Sequence, residues 1–304
     1  MDYILKTHDL HKSYRKFNAL NGLTMSVPKG SIYGLVGMNG AGKTTLIRIA
    51  AGLQYPTSGD LELFGTSCFD DKIVDARKRI GTIVETPSLH PEMTAEENLK
   101  MQFISKGLPN YDEIPKLLEF VGLKDTGTKK AKKFSLGMRQ RLSIAMTLCG
   151  DPDMLILDEP INGLDPQGII EVRELILKLN REKDVTILIS SHILDELSRL
   201  ATHYCFIDKG VAVKEISAAE LEKSCNKSLY VEVKGTGNMS VILDRLGYEY
   251  KLMTDRAADI FGDVDITPLV MELHKNGMDI SKINEKEESL ESFFLSVVGG
   301  GHND

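Results

Sequence analysis

The stretch Gly37-Met38-Asn39-Gly40-Ala41-Gly42-Lys43-Thr44 constrains this chain more than any other, because it follows the pattern G-x-x-x-x-G-K-[ST]. Glycines at those offsets let the backbone curl so that successive N–H groups point inward, forming a nest for phosphate oxygens. The loop needs a strand to deliver it and a helix whose positive N-terminal end faces the same anion. Both flanks are present. Ile32-Tyr33-Gly34-Leu35-Val36 is short and almost wholly apolar, like a strand buried on both faces, and Thr45-Leu46-Ile47-Arg48-Ile49-Ala50-Ala51 has a helical pattern. A glycine-rich turn that held no ligand would need neither flank nor the lysine. Residues Gly37 to Thr45 are therefore expected to hold a nucleotide's phosphates. Lys43 would be a flexible point charge for the β- and γ-phosphates. Thr44 would offer a hydroxyl to Mg²⁺, a hard cation that retains waters.

Met154-Leu155-Ile156-Leu157 and Thr186-Ile187-Leu188-Ile189 are two more buried strands, and strand-like runs alternate with helical ones. That alternation predicts an α/β domain with a largely parallel sheet covered by helices. The first of these strands runs into Asp158-Glu159, two acids at a carboxyl end, where ligand sites of α/β sheets lie. Paired acids often sit at strand ends merely solvated. Beside a phosphate loop they acquire roles: Asp158 to hold Mg²⁺ through water, Glu159 to orient or deprotonate the attacking water.

From about residue 88 to 150 the pattern turns helical, with helices expected over Ala95–Lys106, Ile114–Val121 and Leu136–Cys149. Pro109, Pro115, Gly122 and Gly127 punctuate them, so the segment reads as a helical insertion. A polar junction falls between Gly210 and Lys227. It divides the chain into residues 1–215 and a small α+β domain over 216–304, where Ser228–Lys234 alternates like a half-buried strand. Gly299-Gly300-Gly301 reads as a frayed end.

A length of 304 residues accommodates this division, and 42% hydrophobic with 27% charged residues is the balance of a folded chain. The net charge of −7 argues against a general nucleic-acid binder. The one strong basic cluster, Lys129-Lys130-Ala131-Lys132-Lys133, is either a solvated face or a contact with a partner or anionic headgroups. Cys68, Cys149, Cys205 and Cys225 are scattered, without metal-ligand or redox spacing, and are expected to be reduced and mostly buried. Met1 to Lys6 lacks a signal peptide's apolar core, and no stretch is apolar for long enough to cross a bilayer. Any role at a membrane is thus expected to pass through another chain.

The phosphate loop and the acid pair define a nucleoside triphosphatase without naming its family. Phe134-Ser135-Leu136-Gly137-Met138-Arg139-Gln140-Arg141, just upstream of the acids, resembles the signature sequence of ABC ATPases. The family's two adjacent glycines are here Leu136 and Gly137, and its glutamine is Met138; the serine and second glycine remain. Ser135 also reads as a helix N-cap, and the two readings agree, since a capped helix N-terminus attracts anions. Further matches follow in order. Tyr14 matches the aromatic that stacks on adenine, with Phe17 as the competing candidate. Asn162-Gly163-Leu164-Asp165 resembles the loop, including Asp165, at which two protomers touch. His192, after Ser190-Ser191, matches the histidine facing the γ-phosphate. Where the family generally ends a strand with glutamine, this chain has Glu85, which still offers Mg²⁺ an oxygen but adds charge and loses an amide donor.

Glu85 together with Ser135-Leu136-Gly137-Met138 is similar to the bacitracin and lantibiotic self-protection exporters, and Leu290-Glu291-Ser292-Phe293-Phe294 resembles that subgroup's closing helix. The resemblance implies a P-loop NTPase core of the ABC ATPase type with a helical insertion. It implies hydrolysis of ATP with Mg²⁺ in a head-to-tail homodimer, each ATP lying between one chain's phosphate loop and the other's signature. It also implies a separate transmembrane permease, an exporter's in that subgroup, with this chain peripheral on the cytoplasmic face. Three rivals share parts of this pattern. A soluble ABC ATPase of ribosomes or DNA would usually carry a second cassette or long coiled-coil or zinc insertions. A small-molecule kinase would not need Ser135–Met138 or His192. An ATP sensor would not need Glu159 and His192 intact.

Overall fold

A computed structural model of the chain describes residues 2–84, 89–224, 228–235, 237–262 and 264–286, with Leu290, Phe293, Phe294 and Val297 near the C-terminus. The described backbone falls into two compact units, Met1–Ala218 and Ala219–Asp304. In chain order the first contains β1 (Tyr3–Tyr14), β2 (Phe17–Pro28), β3 (Ile32–Val36), α1 (Lys43–Ala50), β4 (Ser58–Leu63), β5 (Thr66–Ser67), α2 (Ile73–Lys78) and β6 (Ile80–Ile83). These are followed by α3 (Ala95–Ser105), α4 (Ile114–Phe120), α5 (Leu136–Thr147), β7 (Met154–Asp158), α6 (Pro166–Lys183), β8 (Thr186–Ser191), α7 (Leu194–Ser198), β9 (His203–Asp208) and β10 (Val211–Ser217).

Six of these strands form one sheet in the order β10-β9-β3-β8-β7-β6. All neighbours are parallel except the edge pair β9 and β10. Every residue of β3, β7 and β8 is buried, the pattern of strands covered on both faces. Each fully buried Leu or Ile there contributes about 1.5–3 kcal/mol. A second, antiparallel sheet runs β2-β1-β4-β5, and its Leu5, Leu10, Leu20, Leu23 and Met25 join Leu46, Ile47 and Ile156 in one core.

The helical segment holds α3, α4 and α5. Thr94 begins α3 with a capping box: its hydroxyl accepts from Glu97 N–H at 3.2 Å, and Glu97 accepts from Thr94 N–H at 2.7 Å. The Arg141 guanidinium on α5 donates to the Val121 and Gly122 carbonyls at 3.0 Å and meets Glu171 of α6 at 3.2 Å. It thereby satisfies the orphan carbonyls at the end of α4 and ties α5 between its neighbours.

Cys68, Cys149 and Cys205 are buried. Burial pushes the Cys149 thiol up to about 11 and raises those of Cys68 and Cys205 as well. A thiol so poor in thiolate is a weak nucleophile. At neutral pH the native chain is expected to resist iodoacetamide at all three, with full labelling after unfolding, as read by peptide mass spectrometry. Rapid native labelling of Cys149 would contradict the packing described. Cys225 lies outside the described residues.

The second unit begins within α8 (Ala218–Ser224) and continues β11 (Ser228–Gly235), α9 (Met239–Leu246), β12 (Glu249–Thr254), β13 (Ala257–Phe261), α10 (Ile266–Lys275) and β14 (Met278–Lys286). Its sheet runs β12-β13-β11-β14, with all neighbours antiparallel. Two helices between four strands in this order form a split β-α-β arrangement. Leu229, Val231 and Val233 alternate into a core with Ala258, Ile260, Ile242, Leu243, Leu269 and Leu273. Leu290, Phe293 and Phe294 are helical and buried, whereas Glu291, Ser292 and the Gly299–Gly301 run lie outside the described residues. No helix among the described residues is long and apolar enough to cross a membrane.

Candidate active site

The loop after β3 is pressed against its own scaffold, and this is where glycine is required. A Cβ on Gly37 would come within 2.5 Å of the Ile207 carbonyl oxygen. One on Gly42, whose φ is +111°, would come within 2.6 Å of the Ala19 carbonyl oxygen. The tight curl ends at Lys43, the first residue of α1. Its side chain is 6% exposed, and its ammonium donates to the carbonyls of Gly37 at 2.6 Å and Met38 at 3.2 Å. Burial lowers the lysine's proton affinity, while the Glu159 and Asp158 carboxylates act to raise it. A buried cation held by two loop carbonyls, within the influence of two acids, is suited to an anion with several charges.

A cavity of about 220 Å³ opens over this loop, lined by Asn39 to Thr45, by Phe17 and Ala19 of β2, and by Glu159. The two candidate aromatics face each other across the β1–β2 turn, Tyr14 opposite Phe17. Only Phe17 is on the cavity wall. Tyr14 instead hydrogen-bonds Gln54 through its hydroxyl and has the Lys12 ammonium over its ring at 5.3 Å.

Parallel pairing of β7 with β8 sets Asp158 opposite Ser190. Asp158 is 3% exposed and accepts from the Ser190 hydroxyl at 2.5 Å. The next residue turns sharply: Glu159 has a φ of +50°, a left-handed conformation that is uncommon for a residue with a side chain. Its N–H donates to Ser190 Oγ at 3.0 Å and to the Ser190 carbonyl at 3.2 Å. The turn carries the Glu159 carboxylate to the cavity, where it lies 2.6 Å from His192 Nδ1 and 3.4 Å from the His192 N–H. Two residues 33 positions apart in sequence thus meet at one wall of the phosphate cavity.

Thr44, half-buried at the loop, and Asp158 are hard oxygen donors, and no cluster of three or more metal-ligating acids, histidines or cysteines occurs among the described residues. That sparse donor set fits Mg²⁺, which is usually held by one or two protein oxygens while substrate phosphates and water complete its shell. The third expected metal ligand, Glu85, lies outside the described residues.

The signature residues stand elsewhere. Ser135 caps α5, its hydroxyl accepting from Met138 N–H at 3.2 Å, and is itself exposed. Asp165 caps α6 in the same way, accepting from Gly168 N–H at 3.2 Å, with Pro166 at the first helical position. The two helix starts adjoin: a Cβ on Gly137 would lie 3.4 Å from Gly168 Cα, and one on Gly163 would lie 3.5 Å from a Leu136 methyl. None of Ser135, Leu136, Gly137 or Met138 lines the phosphate cavity. Sequence reasoning named Ser190 only as part of the run leading to His192; its contacts with Asp158 and Glu159 are visible only from the strand register.

Comparison with known proteins identifies the family. The ABC transporter family matches residues 20–162. The chain is similar to the bacitracin transport ATP-binding protein BcrA of Bacillus licheniformis, with 40% identity over 304 residues, 99% of each chain. It is also similar to the lantibiotic transport ATP-binding protein SrtF of Streptococcus pyogenes, with 42% identity over 232 residues, 75% of this chain and 99% of that one. Among solved structures, a nucleotide-free ATP-binding cassette from an ABC transporter superposes with a TM-score of 0.65 at 27% identity, covering 73% of this chain and 94% of that one. A likeness that runs through both units at this level places the chain in the family of ABC transporter ATP-binding subunits, and it is an ATPase that uses ATP with Mg²⁺.

Proposed function

We propose that this chain hydrolyses ATP at a site shared between two copies of itself and so drives export of a peptide antibiotic or similar amphiphile through a separate membrane permease. Residues Gly37 to Thr45 hold the phosphates, and Phe17 or Tyr14 supports the adenine. Thr44, Asp158 and Glu85 provide the oxygens for Mg²⁺, which neutralises phosphate charge when bound. Glu159 takes the proton of the attacking water as the water oxygen bonds to the γ-phosphorus and the bond to the β–γ bridging oxygen breaks. Its neighbour His192 faces the γ-phosphate. Phosphoryl transfer to water needs positioning and charge neutralisation above all, and these residues supply both.

The observation that carries the shared site is the separation of its halves. Glu159 lines the phosphate cavity, but the capped N-terminus of α5 at Ser135 does not. A head-to-tail partner would bring its own Ser135, Leu136, Gly137 and Met138 to the γ-phosphate, with Asp165 at the contact. The helical segment would pass closure to the permease, placing the chain on the inner face of the cell membrane. The cargo class is supported by the bacitracin and lantibiotic names of the relatives and by the match to the first of them across both units.

Deleting the gene is the test of the export reading. Deletion should make the host more sensitive to bacitracin-like or lantibiotic peptides, and the unaltered gene should restore resistance where a Glu159→Gln allele does not. Unchanged susceptibility, with the chain absent from washed membranes, would contradict it.

A further inference from the structure

Ser190 is fully buried at the carboxyl end of β8, directly opposite Asp158. A hydroxyl has one proton to give and two lone pairs. Here the proton goes to Asp158 Oδ1 at 2.5 Å, and a lone pair takes the Glu159 N–H at 3.0 Å. The Ser190 carbonyl accepts the same N–H at 3.2 Å. One residue to which the sequence assigned no role therefore touches both acids, Asp158 at its carboxylate and Glu159 at its backbone N–H.

We infer that Ser190 is a positioning residue for both acids. By occupying Oδ1 it fixes the plane of the Asp158 carboxylate and leaves the other oxygen free, which would help hold Mg²⁺. By holding the Glu159 N–H it stabilises the left-handed turn that brings that side chain to the cavity and to His192. Alanine at 190 frees the Asp158 carboxylate to rotate and leaves the Glu159 turn with a single carbonyl acceptor. Partners that orient metal-binding groups commonly matter almost as much as the ligands do.

The inference rests on the roles proposed for Asp158 and Glu159, and the full-length chain separates the two claims. Two quantities are read: the Mg²⁺ concentration giving half of the ATP-induced rise in melting temperature, and the turnover number. Ser190→Ala and Ser190→Val are expected to raise the Mg²⁺ requirement and to lower turnover by about 10- to 100-fold each. Ser190→Thr has the shape of Ser190→Val but keeps the hydroxyl, and should recover most of both losses. If threonine and valine perform alike, the hydroxyl has no positioning role and the inference is overturned. A loss of turnover with an unchanged Mg²⁺ requirement also overturns it, because Asp158 is then unaffected. If neither branched chain melts cooperatively, Ser190→Ala decides on the same two readouts. Asp158→Asn and Glu159→Gln are measured alongside. A normal Ser190→Ala beside an inactive Asp158→Asn overturns the inference alone. Full activity in both acid variants overturns the site assignment beneath it.

Discussion

Glu159→Gln is expected to bind ATP normally and to hydrolyse it about 10²–10⁴-fold more slowly, the usual cost of losing a general base. Glutamine keeps the length of the side chain and can still meet His192, now 2.6 Å from Glu159 Oε2, so the cavity wall is preserved. What disappears is the carboxylate proposed to take the water's proton. Two further effects favour retention of nucleotide: one negative charge leaves the vicinity of the phosphates, and Lys43 still donates into the loop. ATP should therefore accumulate in an unhydrolysed, closed dimer. Equilibrium binding of a fluorescent ATP analogue, phosphate release and size-exclusion chromatography with and without ATP check the three parts. A variant that turns over ATP at the normal rate would remove Glu159 from the chemistry.

The second large effect is expected at Lys43. Lys43→Ala deletes a cation that bridges the ends of the loop through Gly37 and Met38 and leaves Asp158 and Glu159 without it. A hydrogen bond to a charged group is worth about 1.5–3 kcal/mol. ATP binding should weaken by roughly 10- to 100-fold on that account alone, and repulsion from the two uncovered acids acts in the same direction. Turnover should fall to background if, as proposed, the same ammonium neutralises charge as the γ-phosphate departs. Isothermal titration and phosphate release read the two losses separately. Tight ATP binding by Lys43→Ala would show that the loop amides suffice without the lysine.

The elements around the site were legible because they are extreme in composition. Ile32–Val36, Met154–Leu157 and Thr186–Ile189 are almost purely apolar, as strands covered on both faces must be, and the fold has them as β3, β7 and β8. The helices expected over Ala95–Lys106, Ile114–Val121 and Leu136–Cys149 end one or two residues earlier, where caps rather than periodicity decide the boundary. The antiparallel sheet of β1, β2, β4 and β5 was not read from the sequence. Its long strands carry polar residues such as His8, Asp9, His11 and Lys12 and several register shifts, which break the period-two signal. At the site, the motif residues were legible individually. The contact between Glu159 and His192 follows from strand order, and the turn at Glu159 from hydrogen bonds to Ser190. Neither is encoded in local spacing. Tyr14 and Phe17 were alternatives in sequence for a related reason: they are cross-strand partners, and only the bend of the hairpin decides which lines the cavity.

The shared site is tested most directly by mixing two inactive chains. Ser135→Arg places a bulky cation on the exposed start of α5. Losing the serine cap costs only about 1 kcal/mol, so the chain should still fold. Homodimers of Ser135→Arg and of Lys43→Ala should each be inactive, because every site then contains a lesion. In a mixed dimer, one site contains both lesions. The other joins the intact phosphate loop of the Ser135→Arg chain to the intact signature of the Lys43→Ala chain. Once crosslinking has confirmed mixed dimers, ATPase activity is expected to reappear on mixing and to scale with their fraction. Mixed dimers that form with ATP yet stay as inactive as either parent, or a Ser135→Arg chain that is fully active alone, would contradict it.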